Sequence, residues 1–164
     1  MDKPSWRPAY VGLGSNLEEP RTQVLRALER IRELPHTRLV LASPLYRSRP
    51  MGPASQPDFV NAVAALLTQL EARALLDGLL ELEALQGRPP VHEHWGPRVI
   101  DLDLLAYARE ERSDPVLRLP HPGIPARNFV LYPLADIAPD LDLPGLGRVA
   151  ELAGRVSTEG LTRL

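Results

Sequence analysis

The chain has 164 residues, 44% of them hydrophobic and 24% charged, enough for one domain with a real core and no need of covalent staples. Its formal charge of −2 argues against a broad footprint for nucleic acid or an anionic membrane surface, so any phosphate must be handled locally. It has no cysteine, which removes disulfides, thiol nucleophiles and thiolate zinc sites.

The start, "MDKPSWRPAYVG", lacks the apolar core of a signal peptide, and no apolar run reaches membrane-spanning length. A soluble, cytoplasmic, monomeric protein is the expectation. Lys3 is the only lysine among 19 basic residues; genomic base composition accounts for such a bias, and the forked guanidinium also suits phosphate. The 18 prolines cluster in 44–57, 89–97 and 115–144, where interleaved apolar residues point to ordered loops.

In chain order, "AYVGLG" (Ala9–Gly14) predicts a short buried strand ending in the turn "GSN". Pro20 suits the first position of a helix, and Val24, Leu25, Leu28 and Ile31 recur at helical spacing through Leu34. "TRLVLA" (Thr37–Ala42) predicts a second strand, "SPLYRSRPMGPASQPD" a long loop, and "FVNAVAALLT" (Phe59–Thr68) a third strand. Thr68 and Glu71 have the spacing of a capping box, ahead of a helix with Leu75, Leu79 and Leu82 on one face and an end near Leu85. Gly78 weakens that helix without breaking it.

After the loop "QGRPPVHEHWGP" comes "RVIDLDLLAY" (Arg98–Tyr107), a strand with two carboxylates in it. With a side-chain period of two, Asp101 and Asp103 share one face, and Ile100, Leu102 and Leu104 share the other. Two carboxylates side by side repel by roughly 4 kcal/mol at ~4 Å with a surface-like dielectric of about 20. A cation between them is therefore expected. The remainder is loop-rich, with short helices near Ala126–Ile137 and Val149–Ala153, the latter capping the core. The order β-α-β-β-α-β predicts a single α+β domain over 1–164. It would be a ferredoxin-like antiparallel sheet with helices on one face and a site on the other, followed by a loop-rich C-terminal extension.

An Asp-x-Asp alone is weak evidence, since solvent-facing strand residues are common. Here "HWGPR" (His94–Arg98) precedes it, bringing an aromatic, a Gly-Pro turn and an arginine. Carboxylates for magnesium with arginines for phosphate oxygens are what phosphoryl-type transfer requires.

"HWGPRVIDLDLL" resembles the signature of the 6-hydroxymethyl-7,8-dihydropterin pyrophosphokinases of folate biosynthesis. "YVGLGSNL", "SPLYRSRPMGPASQPDFVNAV", "ELEALQGR" and "LPHPGIPARNFVLYPLADIAPDL" resemble the same family in the same order, over roughly residues 9–143. The resemblance implies transfer of the β,γ-diphosphate of ATP to the pterin hydroxymethyl oxygen, leaving AMP. It also implies two magnesium ions held by Asp101 and Asp103, one bridging the α- and β-phosphates and one the β- and γ-phosphates. Arg88 and Arg98 would bracket a mobile lid and join the two aspartates as catalytic residues. Trp95 would close over the site, and Glu83, Leu104, Arg118, His121 and Arg127 would lie on the nucleotide side. Phe59 and Phe129, the only phenylalanines, would sandwich the pterin, with Asn61 reading its edge and the backbone near Ser48 and Met51 completing the slot.

Two features depart from the family pattern. Between the lid arginines stands "PPVHEH", in which Pro89 and Pro90 stiffen the segment and His92 and His94 are charged only at lower pH. Gly123 stands where a basic residue is expected. The rival readings are another magnesium phosphotransferase or phosphohydrolase, which lacks an evident base for water, and a non-catalytic binding module, which leaves the acidic pair without a role.

Overall fold

The computed structural model describes residues 5–50, 56–87 and 99–164. Met51, Arg88, Pro89, Pro90, His92, His94, Trp95 and Arg98 lie outside the described residues. The elements run β1 (Arg7–Ser15), α1 (Pro20–Arg32), β2 (Thr37–Ala42), β3 (Tyr46–Ser48), β4 (Phe59–Thr68), α2 (Ala72–Leu85) and β5 (Asp101–Tyr107). Then come β6 (Arg112–Ser113), β7 (Arg118–Leu119), a 3-10 turn (Ile124–Ala126), α3 (Asn128–Ile137), β8 (Asp142–Leu143), β9 (Gly147–Arg148), α4 (Val149–Ala153) and β10 (Leu161–Arg163).

The main sheet is antiparallel at every pairing, with β4 and β1 at its centre and β5 at one edge. β1 takes one edge of β4 along its length, so β2 and β3 follow one another along the other edge, opposite 64–68 and 59–61 respectively. β10 pairs with β3 and closes that end. Two of these strands contradict the reading of their segments as loop. β3 has only three residues, and β10 stands in the C-terminal extension; neither is long enough to show a period.

One face of the sheet, through Val11, Leu13, Ala62, Ala64, Leu66, Leu102 and Leu104, packs against Val24, Ile31, Leu75 and Leu79 of α1 and α2. Full burial of a Leu or Ile side chain contributes about 1.5–3 kcal/mol. The expectation of helices on one face only needs correction. Val63, Leu105 and Ala106 pack on the opposite side against Ile124, Val130, Leu131 and Leu134 of the α3 region and Val149 and Leu152 of α4. Leu105 and Val63 lie on this face by strand alternation, and a bulge adds Ala106 to it: Tyr10 pairs with Ala106 and Val11 with Leu104, so two successive residues of β5 face α3.

The capping box is also corrected. Glu71 is itself the N-cap of α2 and makes no side-chain cap. Thr68 Oγ1 instead accepts from Leu70 N–H at 3.0 Å and bonds Thr37 Oγ1 at 2.8 Å, holding the end of β4 to β2. Gly78 fits because a Cβ there would stand 3.2 Å from Leu34 beyond the end of α1.

Candidate active site

With α3 and α4 over part of the second face, a part of that face that no other described element covers forms a pocket. It is lined by Gly12, Gly14, Ser48, Arg49, Phe59, Asn61, Asp101, Asp103, Arg127 and Phe129 among others. Strand register builds its floor. Gly14 pairs with Asn61 on one side and Asp101 on the other, and Gly12 pairs with Val63 and Asp103. Paired residues point to the same face, so each row runs from β4, over a glycine, to an aspartate of β5. A Cβ at Gly14 would reach within 3.0 Å of Asn61 Nδ2 and 3.7 Å of Phe59 Cδ1. Glycine there keeps the floor low.

Phe59 from β4 and Phe129 from α3 stand on the slot side of this pocket, both partly buried. Between β3 and β4, Ser48 donates to Asn61 Oδ1 at 2.5 Å in buried surroundings. That bond fixes the amide's orientation. Ser48 is the side chain of a residue expected to contribute only its backbone. Two aromatic side chains beside a fixed amide can take a flat, hydrogen-bonding ligand.

On the other side, Asp101 and Asp103 are half-buried on one face, while Leu102 and Leu104 are buried behind them, as the alternation predicts. Arg127 Nη1 lies 3.9 Å from Asp103 Oδ2, a cation beside one of the two carboxylates. Among the described residues no group of three or more His, Asp or Glu could hold a metal. Two oxygen donors that open into a pocket fit magnesium, which keeps several waters and takes one or two carboxylates plus substrate phosphates.

His121 is fixed from both ends. Its N–H donates to Leu105 O at 2.8 Å, and its Nδ1 accepts from Gly123 N–H at 3.0 Å. Burial, with Arg127 nearby, pulls its pKa down to about 4, against a weaker opposing pull from Asp101. The ring is therefore neutral near pH 7, with its proton on Nε2, a hydrogen-bond donor.

The side chains of Glu83 and Leu104 do not line this pocket. Leu104 is 3% exposed within the core, leaving only its backbone for any contact. Glu83 is 4% exposed and accepts from Leu102 N–H at 2.7 Å, bracing β5 from α2. Its position four residues after Leu79, on the apolar face of α2, is the sequence signal for that burial. Arg118 is exposed on β7. Gly12, Gly14 and Arg49 line the pocket although no role had been assigned to them. Asn16 is another such residue. It is buried and donates to Gln56 Oε1 and Pro57 O, both at 3.2 Å, tying the end of β1 to the approach to β4.

One pocket thus has an acidic pair at one side of its sheet floor and two phenylalanines with a fixed amide at the other. Residues 10–139 match the model of the 7,8-dihydro-6-hydroxymethylpterin-pyrophosphokinase (HPPK) family. The chain is 53% identical over 156 residues to the 2-amino-4-hydroxy-6-hydroxymethyldihydropteridine pyrophosphokinase of Pseudomonas aeruginosa, covering 94% of this chain and 95% of that protein. It is 42% identical to the protein of the same name from Haemophilus influenzae, covering 95% and 97%. This chain belongs to the HPPK family. Its fold is similar to a solved Plasmodium falciparum HPPK-DHPS structure with pterin and p-hydroxybenzoate, with TM-score 0.77 and 12% identity. That likeness covers 99% of this chain and 48% of the Plasmodium chain. No helix among the described residues is long and apolar enough to cross a membrane.

Proposed function

We infer that the protein is a pyrophosphokinase of folate biosynthesis, transferring the β,γ-diphosphate of ATP to the hydroxymethyl oxygen of 6-hydroxymethyl-7,8-dihydropterin and releasing AMP. The observation that carries this reading is the sharing of one pocket by Ser48, Phe59, Asn61 and Phe129 with Asp101 and Asp103, in a chain of this family.

In this reading the strand order β2-β4-β1-β5 is a ferredoxin-like core, to which β3, β10, α3 and α4 are added. Phe59 and Phe129 hold the pterin ring between them, Asn61 reads its edge, and Ser48 holds Asn61. Met51 and Trp95 complete the slot. Asp101 and Asp103 hold two magnesium ions, which when bound neutralise the triphosphate and polarise the substrate hydroxyl. Arg127, and His121 through its Nε2–H, face the nucleotide with Arg118, while Glu83 and Leu104 serve it through β5. Arg88 and Arg98 supply cationic donors to charge that builds on the oxygen leaving with AMP.

Incubation with Mg-ATP, with and without the hydroxymethyl pterin, tests the reading. AMP and pterin diphosphate formed only when both substrates are present is the expected result. Phosphate release without pterin would identify a hydrolase, and inertness a binding module; either would overturn the reading.

A further inference from the structure

We propose that Gly123 is a positioning residue whose missing side chain is the seat of the Arg127 guanidinium. A Cβ at Gly123 would stand 2.6 Å from Arg127 Cζ, 2.7 Å from Nε and 3.0 Å from Nη1, well inside contact distance. Its backbone gives no reason for glycine, since φ −78° and ψ −12° suit any residue. Glycine at 123 is therefore a matter of space.

That space matters because of where the guanidinium ends up. Arg127 is 17% exposed, with Nη1 3.9 Å from Asp103 Oδ2 and Cζ 5.9 Å from the centroid of the Phe129 ring. One planar cation thus touches the acidic side of the pocket and the aromatic wall together. The seat is itself held, because Gly123 N–H donates to His121 Nδ1 and Gly123 O accepts from Ala126 N–H at 3.3 Å. With Arg127 placed as it is in this chain, a Cβ at 123 forces the guanidinium out of its present seat between Asp103 and Phe129. What yields is the far end of a flexible side chain, so the fold survives the change.

The inference rests on the assignment of Arg127 to the nucleotide side. Its test uses Gly123→Ala and Arg127→Ala, singly and combined, in the full chain. Three readouts apply: the NMR signal of the Arg127 Nε–H beside Phe129, calorimetric affinity for the magnesium complex of a non-hydrolysable ATP analogue, and the split between KM for ATP and kcat. Gly123→Ala is expected to shift the Arg127 signal and to weaken the analogue by about tenfold, the scale of one charge-assisted hydrogen bond. In the Arg127→Ala background it should cost nothing further. An unmoved signal, or an equal loss in both backgrounds, overturns the seat. A moved signal with unchanged affinity and kinetics also overturns the proposal, and shows in addition that Arg127 does not serve the nucleotide.

Discussion

Ser48 and Asn61 are joined across the β3–β4 pair by a buried 2.5 Å hydrogen bond, with the serine hydroxyl as donor. Asn61 Oδ1 is the acceptor, so its amide group is turned by a neighbour before any ligand arrives. Ser48→Ala should therefore weaken pterin binding about two- to tenfold, the net value of one such bond. Affinity for a nucleotide analogue should stay unchanged. Calorimetric titration with each ligand checks this, and equal losses for both would mean that the bond merely supports the sheet.

Phe129→Ala should cost pterin affinity far more than nucleotide affinity, because it removes one wall of the slot. Phe129 is only partly buried against the α3–α4 core. Its truncation should therefore cost less stability than the about 3–5 kcal/mol of a fully buried aromatic. Thermal unfolding establishes that the variant is folded, and the ratio of the two affinities then decides whether Phe129 lines a site or only a core.

The two faces of β5 were legible in the sequence up to Leu104, because side chains alternate and "IDLDL" admits only one division; the bulge at 105–106 was not. The α2 face was legible for the same reason at helical period, and so was that of α1 except for Leu25, which the spacing puts on the apolar face and which is 47% exposed beside the buried Val24. What escaped was short or all-apolar. β3 and β10 have three residues each, too few for a period, and "NFVLYPLADI" is apolar on most sides, so its pattern does not say which layer it covers. Among the candidate site residues, the aspartates stood out by their type and spacing, and the phenylalanines only through the family resemblance. Glu83 does not: a carboxylate reads as surface, and only its place on the Leu75–Leu79 stripe reveals that it braces Leu102. Gly123 is legible only once the Arg127 side chain lies over it.

The lowered pKa of His121, about 4 against an unperturbed 6.5, gives a signed prediction for the metal-free protein. Between pH 6.5 and about 4 the unfolded chain takes up a proton at this position and the folded chain does not, so stability falls as pH falls through that window. His121→Gln should flatten this part of the curve of Tm against pH. A curve as steep as the wild type's would place the pH dependence elsewhere.

Tyr46 donates its hydroxyl to Asp136 of α3, fastening β3 to the helix that covers the second face. Burial and the Asp136 carboxylate push the Tyr46 pKa up to about 12. The contribution is thus complete below pH 10 and is lost as pH rises from 10 through about 12. Tyr46→Phe should lower stability at pH 7 by about 0.5–1.5 kcal/mol, the net value of one hydrogen bond, because Asp136 is exposed and water takes the vacated place at its carboxylate. Above about pH 12 that deficit should shrink. Denaturant midpoints at the two pH values check both halves of the claim.

The central claim is that Asp101 and Asp103 hold the metal ions on which diphosphate transfer depends. Its most direct measurement is the single-turnover rate of AMP formation by Asp101→Asn and Asp103→Asn at saturating magnesium, ATP and pterin, with the metal-free Tm recorded for each. Each variant should lose at least about 10² in rate, the scale of losing one preorganised electrostatic group, while remaining folded. Their stabilities should differ. Asp101→Asn relieves repulsion and should hold or raise the metal-free Tm, whereas Asp103→Asn also gives up the ion pair with Arg127 and should gain less. A rate near wild type in either variant would contradict the metal assignment.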